Sequence, residues 1–332
     1  MMQYKMSFNT SKPDSIVNDV ASMSAARDPS PIAPPTPNRD GFSLIPKVPI
    51  VWDVNLTTNH AEFRYMTDIT YHHSTTDSVA RIAFHRPEKL HAFRPTTIRE
   101  IQHALQHATD STNIAVILLT SNCDASQYTP AFCAGGDQTV RHNEGGYQDG
   151  TEQGTPKLRV LDLQTQMRKC HKPIIAVVQG YCMGGGHILH MVSDLTLAAD
   201  NAVFGQTGPR MGSFDAGYGC SQAVHTMGDK RARELWYLCR FYSASDAYRM
   251  GLINAYCPVH ELDGLTAQWV RRIVMNSGTA IAACKAAINA VTEHGTQQMG
   301  GELTRLFYLS KESQEGRDAF LQKRPPNFRS KL

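Results

Sequence analysis

Two glycine-rich turns hold the residues best suited to chemistry. The first spans residues 132–137 (Phe-Cys-Ala-Gly-Gly-Asp), and the second spans residues 179–187 (Gln-Gly-Tyr-Cys-Met-Gly-Gly-Gly-His). Glycine lets a ligand approach the main chain closely, and the start of a helix presents unpaired N–H groups. If the turns face one another, two N–H groups can bind one developing negative oxygen, which makes an oxyanion hole. The alternative is that these glycines serve only packing.

A third segment, residues 204–219, is dense in glycine and proline, which predicts irregular backbone. Site residues tend to lie on such backbone. Asp215 stands there among small residues, where a carboxylate can act as a general acid or base. A turn-capping role is the alternative for this residue.

The overall composition argues against several classes of protein. A net charge of +3 over 332 residues does not suggest nucleic-acid binding. The second turn has neither the G-x-G-x-x-G spacing of a dinucleotide site nor the G-K-[ST] of a P-loop. Eight cysteines without a C-x-x-C pair indicate reduced thiols rather than a disulfide framework, and we expect no metal site. No apolar run is long enough to span a bilayer, so we expect no membrane association.

The cellular location has two interpretations. Reduced thiols favour the cytoplasm. The alternative is a peroxisomal location, if the final residues Ser330-Lys331-Leu332 act as a targeting signal rather than as an ordinary basic tail.

Buried strands that alternate with amphipathic helices predict a layered α/β core. The predicted strands are 68–72, 79–84, 115–120, 173–178 and 195–199. The predicted helices are 96–108, 158–168, 184–192, 265–274, 280–291 and 301–312. A threonine followed three residues later by an acid, at Thr97 and Glu100, resembles a capping box at the start of the first of these helices.

The chain divides into three predicted parts. Residues 1–45 are rich in proline and poor in apolar residues, which predicts a disordered extension. Residues 46–260 form the α/β core. Residues 261–332 contain only predicted helices.

The three glycine-rich segments, in this order and spacing, together with residues 315–320 (Glu-Gly-Arg-Asp-Ala-Phe), resemble the crotonase (enoyl-CoA hydratase/isomerase) superfamily. The resemblance covers roughly residues 62–328. It implies an α/β spiral of ββα units, a helical C-terminal trimerisation region, CoA thioester ligands and a homo-oligomer, often a hexamer built from two trimers. It also implies that the N–H groups of Gly136 and Gly185 form the oxyanion hole.

Two carboxylates that the hydratases of this superfamily use are absent. The corresponding positions are Ile188 and Gly208, and neither side chain can exchange a proton. Residues 204–209 (Phe-Gly-Gln-Thr-Gly-Pro) resemble the dihydroxynaphthoyl-CoA synthases that use bicarbonate. That resemblance implies that bicarbonate is the catalytic base, held by Gln206, Gly208 and Trp236.

The same resemblance assigns further site residues. Ser213 and Asp215 correspond to residues at the benzoyl end of the substrate, Tyr147 to a residue of a closing loop, and Tyr308 to a residue from a neighbouring subunit. The remaining residues expected to bind CoA or substrate are Arg94, Ala134, Gly135, Asp137, Gln138, Arg141, Thr207 and Lys323. For Arg94 and Lys323, ordinary surface charge is the alternative.

The resemblance implies ring closure of o-succinylbenzoyl-CoA to 1,4-dihydroxy-2-naphthoyl-CoA, a lyase reaction of menaquinone or phylloquinone biosynthesis. Alternatives are a ring-opening hydrolase or a decarboxylase acting on an aryl-acyl-CoA, and a non-catalytic CoA-binding protein. Departures from the pattern are Thr139 in place of a basic residue, His91 in place of Asn, and Ala216 and Tyr218 in place of Gly and Trp.

Overall fold

The computed structural model describes residues 42–141, 146–150, 158–214, 217–292 and 310–328. Most of the predicted N-terminal extension, residues 1–41, lies outside these ranges. Described structure begins with a short 3-10 helix, Phe42–Leu44. The Phe42 ring meets the Trp269 ring edge-on, with the centroids 5.8 Å apart. This contact links the first described residues to α8, which spans Leu262–Val274.

A mixed seven-stranded sheet forms the centre of the fold, in the order β1-β2-β3-β4-β6-β8-β11. Strands β1, β2 and β3 pair antiparallel, and β3 onward pair parallel. The strands are β1 (Val54–Asn55), β2 (Ile69–Ser74), β3 (Val79–Phe84), β4 (Val116–Ser121), β6 (Ile174–Val178), β8 (Leu195–Ala199) and β11 (Ala255–Cys257).

A second sheet of four short strands has the order β10-β9-β7-β5. Its members are β5 (Ala131–Cys133), β7 (Tyr181–Met183), β9 (Val203–Gly205) and β10 (Phe241–Ser243). Strands β5, β7 and β9 are parallel to one another, whereas β10 is antiparallel to β9. The three glycine-rich segments therefore emerge at the same end of this small sheet, where β5, β7 and β9 finish.

Ten α-helices are described. They are α1 (Leu56–Asn59), α2 (Pro95–Asp110), α3 (Val160–Lys169), α4 (Gly185–Val192), α5 (Gly219–Met227), α6 (Asp229–Leu238), α7 (Ala244–Arg249), α8 (Leu262–Val274), α9 (Gly278–Thr292) and α10 (Lys311–Leu321). None of these helices combines the length and the apolar character needed to cross a bilayer.

The large sheet is buried on both faces. Along β4, Ile117 and Leu119 face one apolar cluster, which includes residues of α2 and α4. Val116 and Leu118 face the other cluster, which includes residues of α8. Successive side chains of a strand point to opposite faces, so a strand covered on both sides is apolar throughout. The predicted α/β class is confirmed.

The predicted capping box at the start of α2 is wrong. The helix begins at Pro95, and Arg94 is its N-cap residue. Thr97 accepts a hydrogen bond from the Arg94 main-chain N–H at 3.1 Å, as the third residue of the helix and not as its cap. Glu100 instead accepts the main-chain N–H groups of Thr67 and Asp68, each at 2.9 Å. Proline suits the first helical position because it has no N–H to satisfy, and this determines where the helix starts.

Candidate active site

The two glycine-rich turns lie against each other. The first follows β5 and the second follows β7, and these strands pair directly. A Cβ atom built on Gly135 would lie 3.0 Å from the main-chain nitrogen of Gly185. Gly135 also has a φ of +90°, which side chains rarely adopt. Both the backbone conformation and the available space therefore require glycine here.

The N–H of Gly136 points away from the neighbouring segment that contains Phe93. Phe93 donates its N–H to the Gly135 carbonyl at 2.8 Å, and Asp137 donates its N–H to the Phe93 carbonyl at 2.9 Å. A trans peptide places C=O and N–H on opposite sides. Because the Gly135 carbonyl faces Phe93, the Gly136 N–H faces the other way. It meets no acceptor among the described residues.

The N–H of Gly185 is oriented in the same manner. The Gly184 carbonyl accepts hydrogen bonds from the Ile188 N–H and from Gln206 Nε2, each at 3.1 Å. The Gly185 N–H on that peptide therefore points to the opposite side. Gly185 is the first residue of α4, where a main-chain N–H has no intrahelical acceptor. The positive end of the helix dipole favours an anionic ligand at this position.

Phe93 supports both turns, and the sequence analysis did not single it out. Its main chain pairs with the first turn, in an isolated parallel bridge to Gly136. Its ring occupies the space that a side chain on Gly185 would need. The ring is fully buried. The signal in the sequence is its place beside Arg94, in residues 92–95 (Ala-Phe-Arg-Pro).

Tyr147 lies over the first turn. Its hydroxyl would be 2.6 Å from a Cβ on Gly136, and its side chain is only 3% exposed. Gln138 Nε2 donates to the Tyr147 hydroxyl at 3.0 Å and to the Gly136 carbonyl at 2.9 Å. The structure thus brings together Gly136, Tyr147 and Gln138, three of the predicted site residues.

The third glycine-rich segment forms a niche next to the second turn. A Cβ on Gly208 would lie 3.4 Å from Trp236 Cζ3 and 3.4 Å from the Ser213 carbonyl oxygen. Ser213 donates its N–H to the Gly208 carbonyl at 2.9 Å. Thr207 Oγ1 lies beside Gly184, 3.4 Å from the position of a Cβ there. Gln206, Thr207, Gly208, Ser213 and Trp236 are therefore neighbours of the second turn or of one another.

The indole of Trp236 has an unmatched donor. The side chain is 7% exposed, yet its Nε1–H has no hydrogen-bond partner within the part of the chain that the structure describes. A buried donor without an acceptor costs about 1–3 kcal/mol. The indole borders Gly208 through its ring carbon Cζ3. The unmatched N–H on the same indole is a group that an anion with oxygen acceptors would satisfy.

Arg141 is engaged with the protein itself. Its guanidinium is buried and donates to the carbonyls of Met211 at 3.3 Å, Gly212 at 2.9 Å and Ser313 at 3.2 Å, and to the Ser313 hydroxyl. It also donates to Gln138 Oε1 at 3.2 Å. These bonds join the segment that follows the first turn to the third glycine-rich segment and to α10. Contact between Arg141 and substrate stays a prediction.

The other predicted CoA contacts differ in their surroundings. Ala134 donates its N–H to the Leu90 carbonyl at 3.0 Å. Its short side chain is half-buried. Arg94 forms a two-point ion pair with Asp68, at 2.8 Å for both nitrogens. Lys323 is exposed. Only Lys323 among these is an exposed charge, and CoA binding by the three residues stays a prediction. Asp215 and Tyr308 lie outside the described residues.

A cavity of about 1080 Å³ borders the segment that follows β3. Its lining includes Asp68, Arg81, Arg86 and Arg94, but neither Gly136 nor Gly185. Burial lowers the pKa of Arg81, although Asp263 in the same cavity opposes that shift. The cavity lining therefore excludes the two glycines. Arg86 connects the two features, because it lines the cavity and contacts Asp137, the residue after Gly136.

Three buried side chains could ligate a metal ion: Cys182, His187 and His190. His190 Nε2 lies 3.0 Å from His187 Nδ1, and His190 Nδ1 lies 3.1 Å from Thr196 Oγ1. Burial lowers the pKa of His187 to about 3, so both rings are neutral at physiological pH. His187 and His190 both belong to α4, and their hydrogen bonds to each other and to Thr196 account for the pair as part of the core.

Comparison with known proteins places these features in a family context. Residues 74–331 match the enoyl-CoA hydratase/isomerase family. A methylmalonyl-CoA decarboxylase in complex with 2-nitronate-propionyl-CoA is 26% identical, with a TM-score of 0.67 over 79% of this chain and 98% of that chain. A probable enoyl-CoA hydratase from Mycobacterium smegmatis is 25% identical, with a TM-score of 0.61 over 79% of this chain and all of that chain.

A third solved structure is similar in fold alone. It is an enoyl-CoA hydratase from Mycobacterium avium subsp. paratuberculosis K-10, which is 22% identical. The TM-score is 0.67, over 79% of this chain and 98% of that chain.

Proposed function

The chain belongs to the enoyl-CoA hydratase/isomerase family, the crotonase superfamily, and from this premise we propose that it closes a ring in o-succinylbenzoyl-CoA to give 1,4-dihydroxy-2-naphthoyl-CoA. The observation that carries the proposal is the niche between Gly208 and Trp236. Neither Ile188 nor Gly208 offers a proton-transferring group, while the buried Trp236 N–H has no partner in the described residues. We infer that the base comes from a bound anion.

The oxyanion hole supports enolate chemistry. In the proposed reaction, the N–H groups of Gly136 and Gly185 bind the thioester oxygen as it becomes an enolate oxygen. Both donors are held by main-chain pairing before any ligand binds, so little reorganisation is needed during the reaction. Preorganised donors of this kind lower a barrier by several kcal/mol.

The niche fits bicarbonate in charge and in donor supply. Trp236 offers one N–H, and Gln206 Nε2 retains a second hydrogen after its bond to the Gly184 carbonyl. Gly208 leaves room because it has no side chain. When bound there, bicarbonate supplies the base for the proton α to the thioester.

The second half of the reaction needs an acid near the aromatic carboxyl group. The enolate carbon forms a bond to that carboxyl carbon, and loss of water followed by tautomerisation completes the ring. Tyr147, held by Gln138, is the donor that the described residues support best. We assign Ser213, Asp215 and Tyr308 to the same end of the substrate.

An exposed apolar stripe supports a homo-oligomer. Helix α9 buries its charged Lys285, whose Nζ donates to the Met167 carbonyl at 3.2 Å and lies 2.7 Å from Asp194 Oδ2. Its outer face exposes Ile288 and Val291, at 68% and 66%. An apolar helix face of this kind is expected to pack against another copy of the chain. We propose a hexamer of two trimers, with Tyr308 reaching the site of a neighbouring subunit.

A second candidate is decarboxylation of an acyl-CoA. The 26% identity to a methylmalonyl-CoA decarboxylase favours it, and so does the lack of carboxylates at positions 188 and 208. Loss of CO₂ produces an enolate without any base, and the same two N–H groups would stabilise it. The unpartnered Trp236 N–H has no evident role in that reaction, so ring closure explains more of the site.

The deciding experiment is an assay of the purified protein with o-succinylbenzoyl-CoA, with and without bicarbonate, beside malonyl-type thioesters. We expect naphthoyl product that increases with bicarbonate and no CO₂ release from malonyl-type thioesters. Absence of product under both conditions refutes ring closure. Product formation that is indifferent to bicarbonate refutes the assigned base, and CO₂ release without ring closure supports the second candidate.

A further inference from the structure

Arg86 binds both segments that flank the oxyanion hole. It lies just after β3, and its side chain is 11% exposed. One guanidinium nitrogen is 2.9 Å from Asp137 Oδ2, and another donates to the Ala92 carbonyl. Its Nε lies 3.7 Å from Asp68 Oδ2. Ala92 precedes Phe93, and Asp137 follows Gly136, so one side chain spans the pairing between the two segments.

Asp137 is a buried anion directly after Gly136. Burial alone would raise its pKa, but hydrogen bonds from Thr139 and the nearby Arg86 hold the pKa below its ordinary value. Thr139 contributes its N–H at 3.0 Å and its hydroxyl at 2.6 Å, both to Oδ1. The other oxygen faces Arg86. A carboxylate in this position moves if its cationic partner is removed, since an unpaired buried charge is costly.

Asp68 extends the pair into a chain of four charges. It receives the two-point contact from Arg94 and a hydrogen bond from the Thr97 hydroxyl at 2.5 Å. The charges alternate along Arg94, Asp68, Arg86 and Asp137. Arg94 is the N-cap residue of α2, so the chain connects the start of a long helix to the first glycine turn.

We propose that Arg86 is a positioning residue for the oxyanion hole, acting through Asp137 to set the direction of the Gly136 N–H. This inference rests on the proposed use of Gly136 as a donor to a thioester oxygen. The Asp137 N–H and the Gly135 carbonyl both bind Phe93, on either side of Gly136. Arg86 holds the same two segments together through side-chain contacts, so its loss loosens the frame in which the Gly136 peptide is fixed.

Loss of Arg86 should weaken hydrogen bonding to the thioester carbonyl more than it weakens binding of the thioester. Arg86 does not contact the proposed thioester position, so binding of a CoA thioester should change little without it. The hydrogen bond from the Gly136 N–H to the bound carbonyl should weaken, because the donor is no longer held in place. A displacement of about 1 Å in a site can lower the rate about 100-fold. Neutralising Asp137 in the same molecule should recover part of the loss, because the unpaired buried charge is then absent.

The test measures the carbonyl itself. The thioester carbon of 3-benzoylpropionyl-CoA, which lacks the aromatic carboxyl and cannot cyclise, is labelled with ¹³C. Its infrared stretch is recorded free and bound, with affinity measured by calorimetry. The variants are Arg86→Met, Arg86→Lys and Arg86→Met with Asp137→Asn. The matched control is Arg271→Met, which breaks a similarly buried ion pair to Asp77, at 2.8 Å, away from the site.

We expect the bound carbonyl to shift to lower frequency in the wild type and in Arg271→Met. Arg86→Met should lose most of the shift while its affinity stays within about threefold, and the double variant should regain part of the shift. Arg86→Lys should lie between wild type and Arg86→Met, and it decides the question if Arg86→Met fails to fold. A full shift in either Arg86 variant, or equal loss in Arg271→Met, overturns the inference.

The same measurement with labelled acetyl-CoA separates this inference from the proposed reaction. A protein that shifts the carbonyl of either thioester but forms no naphthoyl product fails the proposed function, and the Arg86 variants still decide the inference. If neither carbonyl shifts in the wild type, Gly136 is not a donor and the inference is overturned.

Discussion

The Tyr147 hydroxyl occupies the space directly above Gly136, 2.6 Å from where a Cβ on that glycine would be. The same hydroxyl receives a hydrogen bond from Gln138 at 3.0 Å. In the proposed site the glycine therefore serves two purposes: it lets its own N–H reach the thioester oxygen, and it leaves room for a tyrosine beside that oxygen. The proposed enolate donor and the proposed acid are adjacent for this reason.

Gly136→Ala should abolish most turnover. The added methyl group collides with the Tyr147 ring and hydroxyl, so either the tyrosine or the turn must move. Loss of one oxyanion donor costs about 100- to 1000-fold in kcat. Steady-state kinetics with o-succinylbenzoyl-CoA measures it. Gly278→Ala is the matched control, because nothing lies within 4 Å of a Cβ there. Near-normal turnover in Gly136→Ala would contradict the assignment.

Tyr147→Phe should separate the two halves of the reaction. The phenyl ring still fills the space above Gly136, so enolate formation should persist while protonation at the aromatic carboxyl fails. We expect ring closure to fall by about 100-fold, the usual range for loss of a positioned acid. Exchange of the α-protons of 3-benzoylpropionyl-CoA in D₂O, followed by mass spectrometry, should continue. Equal losses in both assays would assign Tyr147 to the first half.

Trp236→Phe should weaken the response to bicarbonate. The variant keeps an aromatic ring but removes the unmatched N–H donor. A hydrogen bond to a charged group contributes about 1.5–3 kcal/mol, so half-maximal stimulation should need at least about tenfold more bicarbonate. Trp269→Phe, on α8, is the control. An unchanged bicarbonate requirement in Trp236→Phe would exclude the indole from the anion site.

Gly208→Asp is the complementary variant. It places a carboxylate in the niche, next to Trp236, where no side chain now lies. Contact distances of 3.4 Å around the new Cβ allow it with small adjustments. We expect activity that no longer rises with bicarbonate, measured over the same titration. Continued full dependence on bicarbonate would mean that the niche is not the base site.

His91→Asn should reduce the sensitivity of the fold to acid. Burial lowers the pKa of His91 to about 4 in the folded protein, against 6.5 as its ordinary value. The unfolded chain therefore binds a proton that the folded chain rejects, and stability falls as pH decreases from 6.5 toward 4. This one group destabilises the fold by about 2 kcal/mol at pH 5.

Asparagine can keep the structural role of His91. The asparagine side-chain oxygen can accept the main-chain N–H of Arg86, which now donates to His91 Nδ1 at 3.1 Å. Asparagine also tolerates the φ of 56° at this position. Guanidinium unfolding at pH 7 and pH 5 should show a smaller decrease in the unfolding free energy for the variant. His260→Asn, which is exposed, is the control. Equal decreases in His91→Asn and wild type would contradict the prediction.

Ile288→Asp should dissociate the assembly. The substitution puts a charge in the exposed apolar stripe of α9, which costs free energy only if that stripe is buried against another subunit. Light scattering after size-exclusion chromatography should show a smaller species with unchanged helical circular dichroism. Thr279→Asp, at the exposed start of the same helix, should not change the mass. An unchanged mass in Ile288→Asp would remove the stripe from the interface.

Much of the large sheet was predictable from local pattern. The predicted strands 79–84 and 195–199 match β3 and β8 residue for residue. These strands are covered on both faces, so every position is under the same requirement for apolar side chains, and a continuous apolar run records it. The helices that begin near residues 95, 160 and 278 were also found within two residues. Their amphipathic or alanine-rich sequences indicate a helix from local pattern alone.

The small sheet was not predictable in this way. Strands β5, β7 and β9 have three residues each, too few to show a period. They exist because neighbouring segments pair with them, which is a long-range condition. The capping box of α2 was mispredicted for a similar reason, because Glu100 accepts hydrogen bonds from Thr67 and Asp68 rather than from its own helix.

The sequence by itself determined the α/β class, the glycines at which the chain can turn tightly, and the absence of a carboxylate at positions 188 and 208. These are properties of residue type and local spacing. Only the tertiary structure decided that the turn at Gly135 and Gly136 lies against Gly185, and that Arg86 contacts both Ala92 and Asp137. It alone also showed that the buried Trp236 N–H meets no acceptor in the part of the chain that the structure describes. Each of these depends on which distant groups share a buried hydrogen bond or ion pair, and chain order does not specify that.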